Sequence, residues 1–490
     1  MTVSPIAEPR AGQRARLDGQ LGTSAIVFMV IAAAAPLTVI GGNVPLAIGV
    51  GNGVGAPAGF ILAAVILLLF SVGFVTMTPH VREAGAFFSY VTAGLGSRAG
   101  LGTAFTALVA YTAIQVGIYG YMGWALDDLV TFFGGPSLPW WLYSFVTMAV
   151  VAVLGYRHIE LSAKVLGVAL VLEILVVVVL DVAILATGGE SGLALESFDP
   201  ANMFTTGLSV SVLFALTGFI GFEATAVFRD EARNPERTIP RATYLAVVII
   251  GVFYAVSCWA LVTGVGAGNA VAVAQQTLAG EGNLLLDTTT QYLGPIVRDV
   301  VQVLLITSLF ACVLSFHNVI ARYQFTLAHK GAMPAALGRR HEKHHSPATS
   351  SLVQTATAAI VLAVLALSGL DPLVGVFGSM AGVATVGMVL LMLVTSIAVV
   401  VFFARRPELG AGRAWTTRVM PVAAVAGLLI GMWLVLSNFT LVTGGSLGVS
   451  IMLALVPAIA FVVGILLGRR FPLHAAADDE VAEVAAADRG

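Results

Sequence analysis

The sequence predicts an all-α polytopic membrane protein with twelve transmembrane helices. Three observations carry this: 58% of the 490 residues are hydrophobic, only 10% are charged, and mean hydropathy is +0.96. A soluble chain of this size requires far more polar surface. Runs of about 20 apolar residues, each long enough to cross a hydrocarbon core, recur at 24–50, 57–77, 101–131, 140–155, 161–187, 203–228, 242–264, 296–326, 350–367, 372–403, 419–436 and 447–468. These are segments one to twelve below. The 53 glycines and 19 prolines lie inside the runs, as close helix packing and helix breaks require.

Placing the N-terminus in the cytoplasm puts Arg10, Arg82, Arg157, Arg237, Arg340, Arg406 and Arg470 on one side. Of the 24 Lys and Arg residues only Arg298 then falls in an outside loop. The outside loops instead hold Asp127, Asp128, Glu190, Glu196, Asp199, Glu281, Asp287 and Asp371. The positive-inside rule therefore predicts a multi-pass protein of the cell membrane with both termini cytoplasmic. Its surroundings are the lipid bilayer, and its charge pattern implies no nucleic-acid partner.

In chain order, residues 1–20 form a polar tail. Arg14 and Arg16, the apolar run from Ala25, and Ala32-Ala33-Ala34 before Pro36 share features with a cleavable signal peptide. The run continues to Val50, however, which makes a full crossing with an internal break. Pro36 removes a backbone donor and clashes with the preceding turn, and Gly41-Gly42 follow. Gly49 to Gly55 lacks the spacing of a phosphate-binding loop and reads as a flexible turn. Segment six is interrupted at Gly218-Phe219-Ile220-Gly221. Cys258 and Cys312, inside segments seven and eight, offer neither a disulfide framework nor metal spacing, and read as small buried apolar residues. His341-Glu342-Lys343-His344-His345 formally matches a zinc-protease motif, but it sits in a basic loop between Pro334 and Pro347 and supplies no third ligand. No metal, cofactor or enzymatic activity is expected. Residues 469–490 form a second cytoplasmic tail.

An unpaired backbone group in hydrocarbon costs several kcal/mol, so a helix is broken there only where the freed groups face a cavity or a ligand. Segment one runs inside to outside and segment six outside to inside. Two interrupted helices thus occupy matched places in two five-segment halves of opposite orientation, the pattern of an inverted-repeat secondary transporter with its site near the midplane. Ordinary kinks packed against neighbours are the competing reading.

Three strings carry a family resemblance: Gly221-Phe222-Glu223 with Asn234-Pro235-Glu236-Arg237-Thr238-Ile239-Pro240; Pro79-His80-Val81-Arg82-Glu83-Ala84-Gly85-Ala86-Phe87-Phe88-Ser89-Tyr90; and Arg322-Tyr323-Gln324-Phe325-Thr326-Leu327-Ala328-His329-Lys330-Gly331-Ala332-Met333-Pro334. Together they resemble amino-acid permeases of the amino acid–polyamine–organocation superfamily, over residues 21–468. The resemblance implies a LeuT-like five-plus-five fold with helices one and six broken, repeats at about 24–187 and 203–403, and two extra helices at 419–468. It also implies sodium-independent or proton-coupled uptake, or exchange, of amino acids or related amines.

A zwitterion needs donors for its carboxylate and acceptors for its ammonium, and a broken helix supplies both from main chain. The expected donors are the N–H groups around Ala34, Ala35, Leu37 and Thr38. The expected acceptors are the C=O groups of Leu216, Thr217 and Gly218. The chain departs from the family in three places. Segment one breaks at an Ala-rich stretch with Pro36 rather than a Gly-rich one, leaving one fewer N–H. Thr217 stands where relatives often carry a bulky aromatic, so that Phe214 or Phe219 is left to close over the ligand, or the pocket is larger. Eleven residues after Ser162, where several proton-coupled relatives place a lysine, stands Glu173.

A carboxylate near the bilayer centre costs about 2.5–3.5 kcal/mol on insertion scales. Glu173 is therefore expected to face the bundle and to exchange a proton, with a structural hydrogen bond as the alternative. Glu223, one turn past the break in segment six, is a second proton-coupling or gating candidate, expected to bond across to segment one or eight. Gln115, Tyr119, His317 and Asn318 are further polar groups at depth, and Asp181 is left unassigned. The function expected is secondary active transport of amino acids or related amines by proton symport. An exchanger and a non-transporting amino-acid sensor are the other readings, and oligomeric state is not legible.

Overall fold

The computed structural model describes residues 21–81, 86–157, 163–227, 231–341 and 346–470. Among them the chain is helical, with a single bridge between Leu21 and Ala232 that ties the start of segment one to the approach of segment seven. Ten helices are long and apolar enough to cross a membrane: Thr23–Gly55, Pro57–His80, Ser97–Phe132, Gly167–Thr187, Pro235–Val265, Pro295–His329, Ala348–Leu367, Pro372–Arg405, Trp415–Ser437 and Leu447–Leu467. Segments four and six are the shorter apolar helices Trp140–Tyr156 and Leu208–Gly218.

Segment three is largely buried and packs against segments four, eight, ten and twelve. Segment two packs against six, seven and eleven. The lipid-facing surface is easiest to see on segment five, where Val168, Val171, Leu175, Val179 and Val182 are exposed while Glu173 and Asp181 are buried. A helix with apolar residues all round turns its few polar ones inward because lipid offers them no partner.

Segment one is two helices. The first, Thr23–Ala34, ends where Ala35 takes φ 46°, the one left-handed non-glycine residue among the described residues. Pro36 explains the position. Its ring disfavours the right-handed helical conformation in the residue before it, and its fixed φ suits the first turn of the helix that follows. Segment six stops at Gly218, turns through residues 219–223 with Gly221 at φ 110°, and resumes for one turn at Ala224–Val227. It is thus shorter than the continuous run 203–228 suggests.

Other expectations are corrected. Gly49 to Gly55 does break the helix, at Gly51 (φ −100°, ψ −123°) and Gly53 (φ 57°), but as a packed kink rather than a loose turn: a Cβ on Gly55 would collide with the carbonyl oxygen of Asn202. Arg298 lies not in a loop but within Pro295–His329, with its side chain buried. The connection between segments seven and eight contains two helices, Ala270–Ala279 and Leu284–Leu293. Their mixed Ala, Gln and Thr composition carries no membrane-length signal.

Candidate functional site

The break at Ala35 leaves backbone groups without helical partners, as at any helix end. The carbonyl of Ala34 accepts a bond from the Tyr254 hydroxyl at 3.0 Å. On the other side of the break, the carboxylate of Glu173 lies beside the N–H of Leu37. Glu173 also accepts a bond from the Ser308 hydroxyl at 2.9 Å, and Thr38 donates to Ser308 at 3.5 Å. An acid from segment five thus stands at the start of the second half of segment one, where the helix dipole favours negative charge.

The facing break in segment six is closed more tightly. The carbonyls of Leu216 and Thr217 accept the N–H groups of Phe219 and Ile220, both at 3.1 Å. The Thr217 hydroxyl donates to the Leu213 carbonyl at 2.9 Å and lies 2.5 Å from that of Thr385. A contact not foreseen from sequence joins the two segments: the Asn43 amide donates to the Phe214 carbonyl at 2.8 Å. A polar residue in a buried apolar run was the signal for it.

Between the breaks lies a narrow cavity of about 20 Å³, bounded by Ala34, Ala35, Thr38, Thr217 and Ile220. Ile114, Ile118, Phe316 and Phe377 supply its apolar walls. Phe316 and Phe377 are thus the aromatic residues that line it, and Phe214 and Phe219 do not. Phe219 packs edge-on to Tyr254, with ring centroids 6.0 Å apart. Nothing in the hydropathy of segments three, eight and ten marked the lining residues, because each stands among other buried apolar side chains.

Glu223 lies beneath the break. One carboxylate oxygen accepts the Gly221 N–H at 2.9 Å, and the other accepts the Tyr111 hydroxyl at 2.6 Å. Its partner across the bundle is segment three rather than one or eight. Tyr111 packs 6.0 Å from Phe316 and 6.3 Å from Tyr323, so this pair supports the wall of the cavity.

The remaining polar residues stand apart. Gln115 bonds Gln354 at 2.7 Å and His317 bonds Ser351 at 2.8 Å, both toward segment nine. Asp181 accepts from Ser257 at 2.6 Å. Cys312 is buried beside the cavity, and Cys258 is buried in segment seven. Of the histidine string, residues 342–345 lie outside the described residues.

The sequence profile of the amino acid permease family matches residues 21–465. The chain is similar to the branched-chain amino acid permease BcaP of Bacillus subtilis, 24% identical over 408 residues that cover 79% of this chain and 81% of the relative. It is also similar to the L-methionine/branched-chain amino acid exporter YjeH of Escherichia coli, 29% identical over 39% of this chain and 44% of the relative. A third relative is the aspartate-proton symporter of Bacillus subtilis, 20% identical over 40% of this chain and 39% of the relative. These relatives are transporters, not enzymes, and their family profile spans both broken helices and the long apolar helices that pack around them: this chain belongs to the amino acid permease family, as a multi-pass membrane protein.

Proposed function

We propose that the chain carries amino acids with medium-sized apolar side chains across the cell membrane by proton symport, through twelve crossings arranged as a LeuT-like inverted repeat with both termini cytoplasmic. The substrate carboxylate sits at the break in segment one, among the groups of Ala34, Ala35, Leu37 and Thr38. Its ammonium sits against Leu216, Thr217, Gly218 and Phe219. The side chain occupies the space between Ile114, Ile118, Phe316 and Phe377, walls that suit an aliphatic group. The names of two relatives, a branched-chain permease and a methionine/branched-chain exporter, support the same class.

The observation that supports proton coupling is the buried Glu173 carboxylate, bonded to Ser308 at 2.9 Å and set beside the Leu37 N–H at the break. An ionised Glu173 occupies a donor that the substrate carboxylate needs and repels its charge. A proton on Glu173 removes both obstacles, so proton and substrate favour each other's binding, which is the thermodynamic requirement for symport. Glu223 and Tyr111 hold the inner side closed until the break in segment six moves.

The test is accumulation of labelled leucine by proteoliposomes carrying the purified protein, with and without an acid-outside pH gradient. Gradient-driven accumulation above the equilibrium level is expected. Leucine exchange that ignores the gradient supports the exchanger instead. Absence of leucine movement in either assay overturns the proposed substrate class.

A further inference from the structure

The first half of segment one, Thr23–Ala34, packs against segment seven and leaves a groove of about 560 Å³ beside the contact. Val27, Phe28 and Ile31 form one wall, Leu245 and Ile249 form the other, and Ser24 stands at one end. Gly167 of segment five faces the Phe28 ring, where a Cβ would lie 3.6 Å away. From Ile249 an adjoining groove walled by Val252 and Val256 continues along segment seven as far as Asp181, whose carboxylate is bonded to Ser257. The helix from Leu245 to Val256 is about 16 Å long. That is close to half of a hydrocarbon core of about 30 Å, so the two grooves together have the depth of one leaflet.

The end at Ser24 is basic. Arg237 and Arg241 precede Leu245 and Ile249 at four-residue spacing, which sets them above the groove on the same side of the helix. The Leu21 carbonyl accepts the Arg233 N–H at 3.0 Å, which brings Arg233 within a few residues of Ser24. All three arginines and Ser24 are exposed, and among the described residues none of the three guanidiniums has an ion pair. Residues 231–241 hold these three arginines against two acids, Glu231 and Glu236.

A guanidinium binds phosphate through charge-assisted hydrogen bonds, and basic side chains at a membrane surface are drawn to anionic lipid. Below the arginines the groove offers only apolar walls, which suit an acyl chain and no soluble anion. We propose that this groove binds one anionic phospholipid of the cytoplasmic leaflet, with its phosphate at Arg241 and Ser24 and an acyl chain between segments one and seven. A chain seated there holds the first half of segment one, which ends at the Ala35 break, against segment seven. The assignment rests on the orientation proposed above only for the leaflet that supplies the lipid, and the identity of the transported substrate plays no part in it.

The test is thermal unfolding of the purified full chain in detergent micelles with added phosphatidylglycerol, phosphatidylcholine of the same acyl chains, or inorganic phosphate. Phosphatidylglycerol is expected to raise the unfolding temperature in a saturable way, as a ligand of the folded state does, while the other two leave it unchanged. Arg241→Gln should require roughly fivefold to tenfold more phosphatidylglycerol for half the effect, the loss of one charged contact at the headgroup. Leu245→Trp fills the groove and keeps every charge, and it should weaken the response to a similar degree. Arg413→Gln, in the exposed connection between segments ten and eleven, should respond as wild type does. Equal stabilisation by phosphatidylcholine identifies ordinary boundary lipid and overturns the site. Equal stabilisation by inorganic phosphate removes the acyl chain from it and overturns it too. A wild-type response in either Arg241→Gln or Leu245→Trp does the same. No substrate enters the assay, so a failure here leaves the proposed transport function untouched, and a failure of that function leaves this site standing.

Discussion

The carboxylate of Glu173 accepts the Ser308 hydroxyl at 2.9 Å, and so an acid from segment five sits beside Leu37 and Thr38 at the break in segment one, where the substrate carboxylate is expected. Tyr254 fills the matching role on the other side of the break, on the Ala34 carbonyl. The two residues hold the halves of segment one in register from opposite sides.

Glu173→Gln keeps the shape and the bond to Ser308 but cannot titrate. It is expected to retain leucine binding and counterflow exchange while losing accumulation driven by a pH gradient. Paired proteoliposome assays of wild type and variant decide this. Wild-type gradient-driven accumulation in the variant would exclude Glu173 as the coupling group and leave Glu223.

Ala35 sits in a left-handed conformation that costs an L-residue about 1–2 kcal/mol. Ala35→Gly should relieve that strain, raising thermal stability by about 1 kcal/mol while preserving binding. Ala35→Val adds a branched carbon to the same conformation at the cavity wall and should abolish leucine binding. Thermal unfolding with and without leucine measures both effects.

A Cβ on Gly218 would lie 3.0 Å from Val39 and 3.3 Å from the Tyr254 ring. Gly218→Leu should therefore displace Tyr254 from Ala34 and eliminate substrate binding in a protein that still inserts and purifies as a monodisperse species. Normal leucine affinity in this variant would count against a site between the two breaks.

Removing the Tyr111 hydroxyl leaves a buried acid with only the Gly221 N–H. Tyr111→Phe should lower stability by about 1–3 kcal/mol and, if the pair closes the inner side, increase labelling of a cysteine placed at Ile220 by thiol reagents applied from the cytoplasmic face. A loss of stability without increased labelling would identify a packing role alone.

Orientation is open to direct measurement. Ser191 is exposed between segments five and six, and Ala411 is exposed between segments ten and eleven. A cysteine at Ser191 should react with an impermeant thiol reagent from outside intact cells, and one at Ala411 only after permeabilisation. Ser346 is unsuited to this test because its hydroxyl is buried against the Tyr156 carbonyl.

The sequence by itself determined the membrane class, the helical composition and the two places where a helix stops. Hydropathy over 20 residues, the proline after Ala35 and the glycines at Gly218 and Gly221 are local properties, and local backbone chemistry acts wherever the segment lies. The tertiary structure decided the partners. Glu173 was legible as an acid at depth, but its bond to Ser308 beside the break depends on how segment five is rotated against segments one and eight. Glu223 was read as reaching segment one or eight and instead takes Tyr111 from segment three. Phe316 and Phe377, not Phe214 or Phe219, wall the cavity, and Arg298 became part of a buried helix rather than a loop charge. The physical reason is common to all of these. A helix that is apolar on every face carries almost no record of its own rotation or of which neighbour it will meet, so the choice is made by packing among small residues and by the few polar groups that must find one another away from lipid.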